Sequence, residues 1–379
     1  MGCRFEDRVR PSVQTFQNRT YSPTYYKDDL VIALTVEEKE RSKSLYKVLV
    51  ISQKIYVNSV PSFMIDFKKG LEARGWYIFD ADKIKNSLKD DLYAATGIDR
   101  YPDIIVFYNA EKKYFEDWSQ LFSQEMKKSV LITWADEVQH EHIVAGLRSS
   151  MADAIFARYP HATQNQLEPL QPEGFHIPHA ATDNFFREIR DDKTETVLLS
   201  GAMEPAFYPL RIEASRLLAL GNKSIVQRKH PGYQFMLDPE AEARSYADEI
   251  SKHLIAISGG SLPPAVPAPF VLAKHFEIPA AGTALLTDEE MIPYLRELGF
   301  IPFKHYIPTQ RNQLAETIAY WLHPDNRAEL LEITQQGQKL VREFHRNEQR
   351  IETFNRIAVN KFHQKNSKKE EQGYSQQEE

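Results

Sequence analysis

Apolar and polar positions along the chain form two successive series of short apolar runs separated by longer amphipathic stretches. The first begins at Lys47, where Val48-Leu49-Val50-Ile51-Ser52 reads as a buried strand. Phe63 to Arg74 follows as an amphipathic helix and Trp76-Tyr77-Ile78-Phe79 as the next strand. Asp103 to Tyr108, Ser129 to Trp134 and Ala154-Ile155-Phe156 continue the series, with a helical stretch from Tyr114 to Lys127. The pattern pauses between Phe175 and Asp183 and restarts at Thr196. It then runs through Val197 to Ser200, Ser224 to Gln227, Leu254 to Ser258, Thr283 to Thr287 and Phe300 to Lys304. Strands alternating with helices of this length predict a parallel sheet with helices on both faces. Two such series in tandem predict an α/β protein of two Rossmann-like domains facing a cleft, with ligands at the carboxyl ends of the strands.

The domain boundary falls near residue 185, which gives an N-terminal domain over 45–185 and a C-terminal domain over 186–363. Residues 1–44 are polar on the whole and read as an irregular extension. Asn326 to Asn355 reads as one or two long helices, and 364–379, almost without apolar residues, as a disordered tail.

At 379 residues, 42% of them hydrophobic, the chain is long enough for two domains that each bury a core. A formal net charge of -6 argues against general nucleic-acid binding, although local basic patches can still meet phosphates. Cys3 is the single cysteine, so no internal disulfide forms and a reducing, cytoplasmic compartment is expected. No apolar run approaches the ~18 residues of a transmembrane segment, and no signal peptide is visible. Met1-Gly2-Cys3 is a poor myristoylation signal, because Glu6 stands where Ser or Thr is wanted.

The richest candidate chemistry is in Ala273-Lys274-His275-Phe276-Glu277-Ile278-Pro279-Ala280-Ala281-Gly282, just before an apolar strand. Pro279 fits the first turn of a short helix, with Glu277 at its entrance and Lys274 about one turn upstream. Gly282 lets the chain leave the helix. A carboxylate here can accept hydrogen bonds from the vicinal hydroxyls of a ribose, and a lysine can meet a phosphate; a solvated salt pair explains the same spacing. Gly201 follows a strand and Pro209 suits a helix start, so the loop between them, with Tyr208 and Arg211 beside it, can bring amides up to a diphosphate. Arg228, Lys229 and His230 put three potential cations after another strand, and Gly259 and Gly260 permit close backbone approach after a third. In the first series, Asp136, His140 and His142 lie just past a strand end. These three could be read as a metal site, but a zinc site wants three or four converging ligands and no further one is evident, so none is assigned. A role at the acceptor or the reacting sugar is the functional alternative to ordinary surface polarity for Asp136 and His140. His179, in the turn near the boundary, is equally open.

Taken in order, the Gly201, Arg228, Lys274–Glu277 and Asn312–Leu322 segments resemble the C-terminal half of group 1 glycosyltransferases of the GT-B fold, in particular the spore-coat-maturation-like branch. The resemblance spans roughly Thr194 to Phe354. It implies that Glu277 holds the ribose of a nucleotide-diphosphate sugar, and that the donor side is formed by basic residues and glycines, namely Gly201, Arg211, Arg228, Lys229, His230, Gly259, Gly260, Lys274 and Gly282, together with Tyr208. It also implies that the anomeric configuration is retained and that no metal or other cofactor is needed; a carbohydrate or other glycosylated acceptor would fall to the first domain, where Asp136 and His140 are singled out by their position after a strand. One departure stands out: the related Glu-x7-Glu pattern wants an acid at position 269, where this chain has Pro269. That departure keeps open a non-catalytic two-domain module that binds a nucleotide or sugar, and a sugar epimerase is a third option on the same fold.

Overall fold

The computed structural model describes residues 40, 42–51, 61–84, 88–108, 129–135, 152–158, 173–229, 238–260 and 269–375. The extension before residue 40, the expected helix from Tyr114 to Lys127, and Asp136, His140, His142 and His230 lie outside them. Two compact units divide the chain. Of the described residues, the first unit comprises those within 40–178 together with 347–375, and the second those within 179–229 and 238–346. The sheet units change over at His179. The last helix, expected in the second domain, belongs to the first unit.

The first unit is a six-stranded parallel sheet in the order β2-β1-β3-β4-β5-β6, from β1 (Lys47–Ile51), β2 (Trp76–Asp80), β3 (Ile104–Tyr108), β4 (Val130–Ala135), β5 (Ala154–Ala157) and β6 (Glu173–His176). All five residues of β1 and of β3 are buried, which is why these strands read as continuous apolar runs: helices cover a parallel sheet on both faces. Strand β6 falls in the stretch where the sequence pattern pauses. It adds the edge by pairing Ile155 with Gly174 and Phe156 with Phe175.

Helix α1 (Pro61–Glu72) returns the chain after β1, and α2 (Leu88–Thr96) follows β2. The C-terminal helix, here α9 (Asn347–Ser375), lies against α1. Phe354 inserts its ring among Phe67, Trp76, Trp134 and Phe156, with centroids 5.3, 5.3, 5.1 and 4.8 Å away. Gly70 permits the approach, since a Cβ there would stand 2.4 Å from Cδ1 of Ile351.

Helix α9 corrects the expectation of a disordered tail, because it runs on through Ser375. Glu, Lys and Gln are good helix formers even where nothing apolar is buried, and a reading by hydrophobicity misses that. Lys365 docks the helix on the sheet, its Nζ donating to the Ser129 carbonyl at 2.8 Å and to Asp153 at 2.7 Å. Both side chains of this pair are less than a third exposed. Truncation before Lys365 is accordingly expected to cost about 1 kcal/mol, or roughly 2–4 °C in melting temperature. An unchanged thermal unfolding curve for the truncated protein would show that these contacts contribute nothing.

The second unit is a five-stranded parallel sheet in the order β11-β10-β9-β7-β8, from β7 (Thr194–Ser200), β8 (Ile225–Arg228), β9 (His253–Ile257), β10 (Ala284–Asp288) and β11 (Ile307–Thr309). Period-two alternation sends Leu198, Ala256 and Leu285 into one core, with Phe276 and Phe300. Val197, Leu199, Ile255, Ile257 and Leu286 point into the other, with Leu210 and Trp321. Helices α3 (Pro209–Ala219), α4 (Pro239–Ser251), α5 (Lys274–Ala280), α6 (Ile292–Glu297), α7 (Leu314–Leu322) and α8 (Arg327–Phe344) cover these faces.

The expected strand at Phe300–Lys304 is instead a turn. Phe303 takes φ 58°, its N–H donates to the Tyr306 carbonyl at 2.8 Å, and the ring nitrogen Nδ1 of His305 accepts from the amide of Ile301. Phe300 and Ile301 pack into the core from this turn, so the apolar run reflects burial and not extension. The last strand follows at Ile307.

Candidate functional site

The chain passes from β7 outward to β8 and then returns to place β9 on the other side of β7. This reversal makes β7 and β9 the switch point of the second sheet, the place where open α/β sheets bind their ligands. The segments that the sequence singled out converge there.

Gly201 leaves β7 with φ 100°, a conformation that L side chains rarely adopt. A Cβ on it would lie 2.8 Å from Nη1 of Arg211 and 3.0 Å from Cε of Lys274. These two cations, from α3 and α5, thus meet over a bare stretch of backbone. Pro209 in the first turn of α3 fixes the approach, with Tyr208 as its N-cap. Arg211 is buried to 2% exposure, stacks on the Tyr208 ring at 4.2 Å and donates to the Ala202 carbonyl at 3.3 Å.

Helix α5 begins at Lys274 and carries Pro279 next to its end, which corrects the expectation that Pro279 opens the helix. Lys274 and Glu277 therefore share one helical turn, as their spacing predicts. Lys274 donates to the Tyr246 hydroxyl, and its ammonium lies 4.1 Å from the centre of that ring. The same hydroxyl is 2.6 Å from Oγ of Ser200, the last residue of β7. Arg228, at the end of β8, also stacks on Tyr246 at 4.8 Å and is paired with Glu242.

Glu277 is buried at 6% exposure, and among the described residues no side chain donates a hydrogen bond to its carboxylate. Burial pushes its pKa up, and Lys274 and Arg211 pull in the opposite direction without overcoming it. The result is two cations, Lys274 and Arg211, beside one desolvated acceptor, with Arg228 joined to Lys274 through the Tyr246 ring. His275 between them is fully buried and held neutral by burial, its pKa pushed down to about 3, with Nε2 on the Thr287 hydroxyl at 3.1 Å. It builds the helix seat and takes no part in the charge.

Other expected positions lie elsewhere. Gly259 and Gly260 follow β9, but their crowding is with Asp288, Leu210, Met291 and Pro269. They pack the neighbouring corner of the same edge, where Arg311 bonds to Asp288 at 2.9 Å and to Glu290 at 2.6 Å. Burial raises the pKa of Asp288 in spite of that arginine. Gly282 is not with the donor candidates: it precedes β10, at the amino end of the sheet, where a Cβ would crowd Ile189 and Gln338. Its φ of 71° serves the exit from α5, as the sequence indicates. Lys229 is exposed and makes no hydrogen bond or ion pair among the described residues.

In the first unit the order reverses between β1 and β3. The ends of those strands, and not the end of β4 before Asp136 and His140, mark its switch point. Sequence reading missed Tyr246 and Ser200. Tyr246 stands on the amphipathic helix α4, where an aromatic residue reads as core, and only its contacts reveal it. Among the described residues no group of three His, Cys, Asp or Glu side chains is placed to hold a metal ion. None of the described helices is long and apolar enough to cross a membrane.

Residues 225–356, which contain β8 to β11 and the Lys274–Glu277 turn, match the family model described as glycosyl transferase-like. An alpha-glucosyltransferase solved with UDP superposes with a TM-score of 0.56 at 12% identity, over 80% of this chain and 96% of that one. The fold is that of the GT-B glycosyltransferases. Sucrose-phosphate synthase from Thermosynechococcus elongatus has the same fold, with a TM-score of 0.54 at 12% identity over 83% of this chain and 98% of that one. An alpha-glucosyltransferase solved with UDP-glucose and DNA containing an abasic site gives 0.53 at 10% identity over 80% and 96%. No curated protein matches the chain in sequence.

Proposed function

We propose that this protein is a glycosyltransferase that moves a sugar from a nucleoside-diphosphate sugar to an acceptor hydroxyl, with the donor held by the second unit. The observation that carries the reading is the meeting of Arg211 and Lys274 at the side-chain-free Gly201, with the buried Glu277 one helical turn from Lys274. A diphosphate supplies the negative charge this corner lacks. A ribose supplies the hydroxyl donors that the Glu277 carboxylate lacks. As the glycosidic bond breaks, charge grows on the leaving diphosphate, and fixed cations at the mouth of β7 stabilise it more than they stabilise the intact donor. Arg228, and Lys229 and His230 after it, extend the basic side.

Uridine is the proposed base, because the structures of like fold hold UDP or UDP-glucose. The resemblance to the spore-coat-maturation-like branch, with retention of configuration, belongs to this proposal. So do acceptor roles for Asp136 and His140. A formal charge of -6 favours a carbohydrate or other glycosylated acceptor over nucleic acid.

Pro269 in place of the first acid of Glu-x7-Glu favours a second reading, a non-catalytic nucleotide- or sugar-binding module. Incubation with UDP-glucose, UDP-N-acetylglucosamine and GDP-mannose separates the two. A transferase releases nucleoside diphosphate slowly from its donor even without acceptor. Saturable binding with no release over many hours, with or without an oligosaccharide mixture, would favour the module.

A further inference from the structure

We propose that Tyr246 is the positioning residue of the diphosphate site: it acts on the phosphates through Lys274 and Arg228 without touching them. The inference rests on the donor reading above and extends it to a residue on a different helix. Lys274 sits on a flexible four-carbon stem and would lose much rotamer freedom on meeting a phosphate. Tyr246 removes that freedom in advance. Its hydroxyl accepts from the Lys274 ammonium and is 2.6 Å from Ser200 Oγ, which ties the lysine to the carboxyl end of β7.

The ring is a platform for two cations, with Lys274 Nζ at 4.1 Å and the Arg228 guanidinium at 4.8 Å from its centre. Phe185 packs edge-on against the same ring at 6.0 Å and holds it in place. Two like charges gathered on one aromatic ring, with Glu242 paired to Arg228 and, among the described residues, no ion pair to Lys274, are an arrangement that an incoming dianion relieves. Hydroxyl and ring therefore have separable parts: the first aims Lys274, and the second carries both cations.

The test is titration of the full chain with UDP and with inorganic pyrophosphate, for wild type, Tyr246→Phe, Lys274→Met and the double variant. Tyr246→Phe keeps the ring and its packing on Phe185, so the melting temperature should stay close to wild type. Affinity for UDP and for pyrophosphate should each fall about tenfold, the worth of a hydrogen bond to a charged group. In the Lys274→Met background the same change should cost nothing further, because there is no ammonium left to aim. Equal losses in both backgrounds would show a general structural role and overturn the inference. Unchanged UDP affinity in Tyr246→Phe would overturn it too. Failure of the wild type to bind either probe would instead refute the donor reading on which it rests.

Discussion

Glu277→Gln should bind nucleotide-sugar more weakly yet melt at a higher temperature. The loss comes from replacing a charged acceptor of ribose hydroxyls by a neutral one, on the order of 1–3 kcal/mol, or about tenfold to about 150-fold in Kd. The gain has its origin in burial. The Glu277 carboxyl has a folded pKa above its usual value, so the folded state binds the extra proton and stability falls as pH rises above the ordinary carboxylate range. Gln carries no such penalty at neutral pH. The expected readout is a rise in melting temperature over wild type at neutral pH. It should shrink as pH is lowered and wild-type Glu277 becomes protonated. Calorimetry across pH, together with donor titration, checks both halves. Parallel losses of stability and affinity would mean that Glu277 is an ordinary structural anion for Arg211 and Lys274.

Gly201→Ala should lower both stability and diphosphate affinity. The backbone at φ 100° disfavours every L residue, and the new Cβ would press on Arg211 Nη1 and Lys274 Cε together. Arg211 is buried, stacked on Tyr208 and bonded to the Ala202 carbonyl, so it has little room to withdraw, and Lys274 would be driven off Tyr246. Strain of about 1–3 kcal/mol is expected in stability. Loss of two aimed cations should reduce diphosphate affinity on the order of 100-fold. Wild-type UDP affinity in a folded Gly201→Ala protein would remove Gly201 from the site.

Much of this could be read in the sequence because a parallel sheet covered on both faces writes itself as uninterrupted apolar runs. Val48 to Ile51, Ile104 to Tyr108 and Ala284 to Thr287 are such runs, and all became strands. Phe300 to Lys304 misled for the same reason, since a buried turn is as apolar as a buried strand. Strand β6 was missed because Glu173–His176 is short and polar at its first position. The site was half legible. Lys274 and Glu277 announce themselves by spacing on one helical turn, and Gly201 by its place between a strand and Pro209. Tyr246 is invisible along the chain, because its partners Ser200, Arg228 and Lys274 come from three other elements. The resemblance puts Gly282 on the donor side. Helix α5 runs away from the carboxyl edge of the sheet, so five residues of sequence carry the chain to its opposite end.

The central claim is that nucleotide is held at the carboxyl edge of the second sheet. Hydrogen exchange on the full chain with saturating UDP, without sugar or acceptor, tests it most directly. Protection should rise at Gly201 to Arg211, at Arg228 and at Lys274 to Glu277, while strands β1 to β6 exchange as they do without nucleotide. Protection by UDP in the first sheet, with the Gly201 and Lys274 segments unchanged, would contradict the claim.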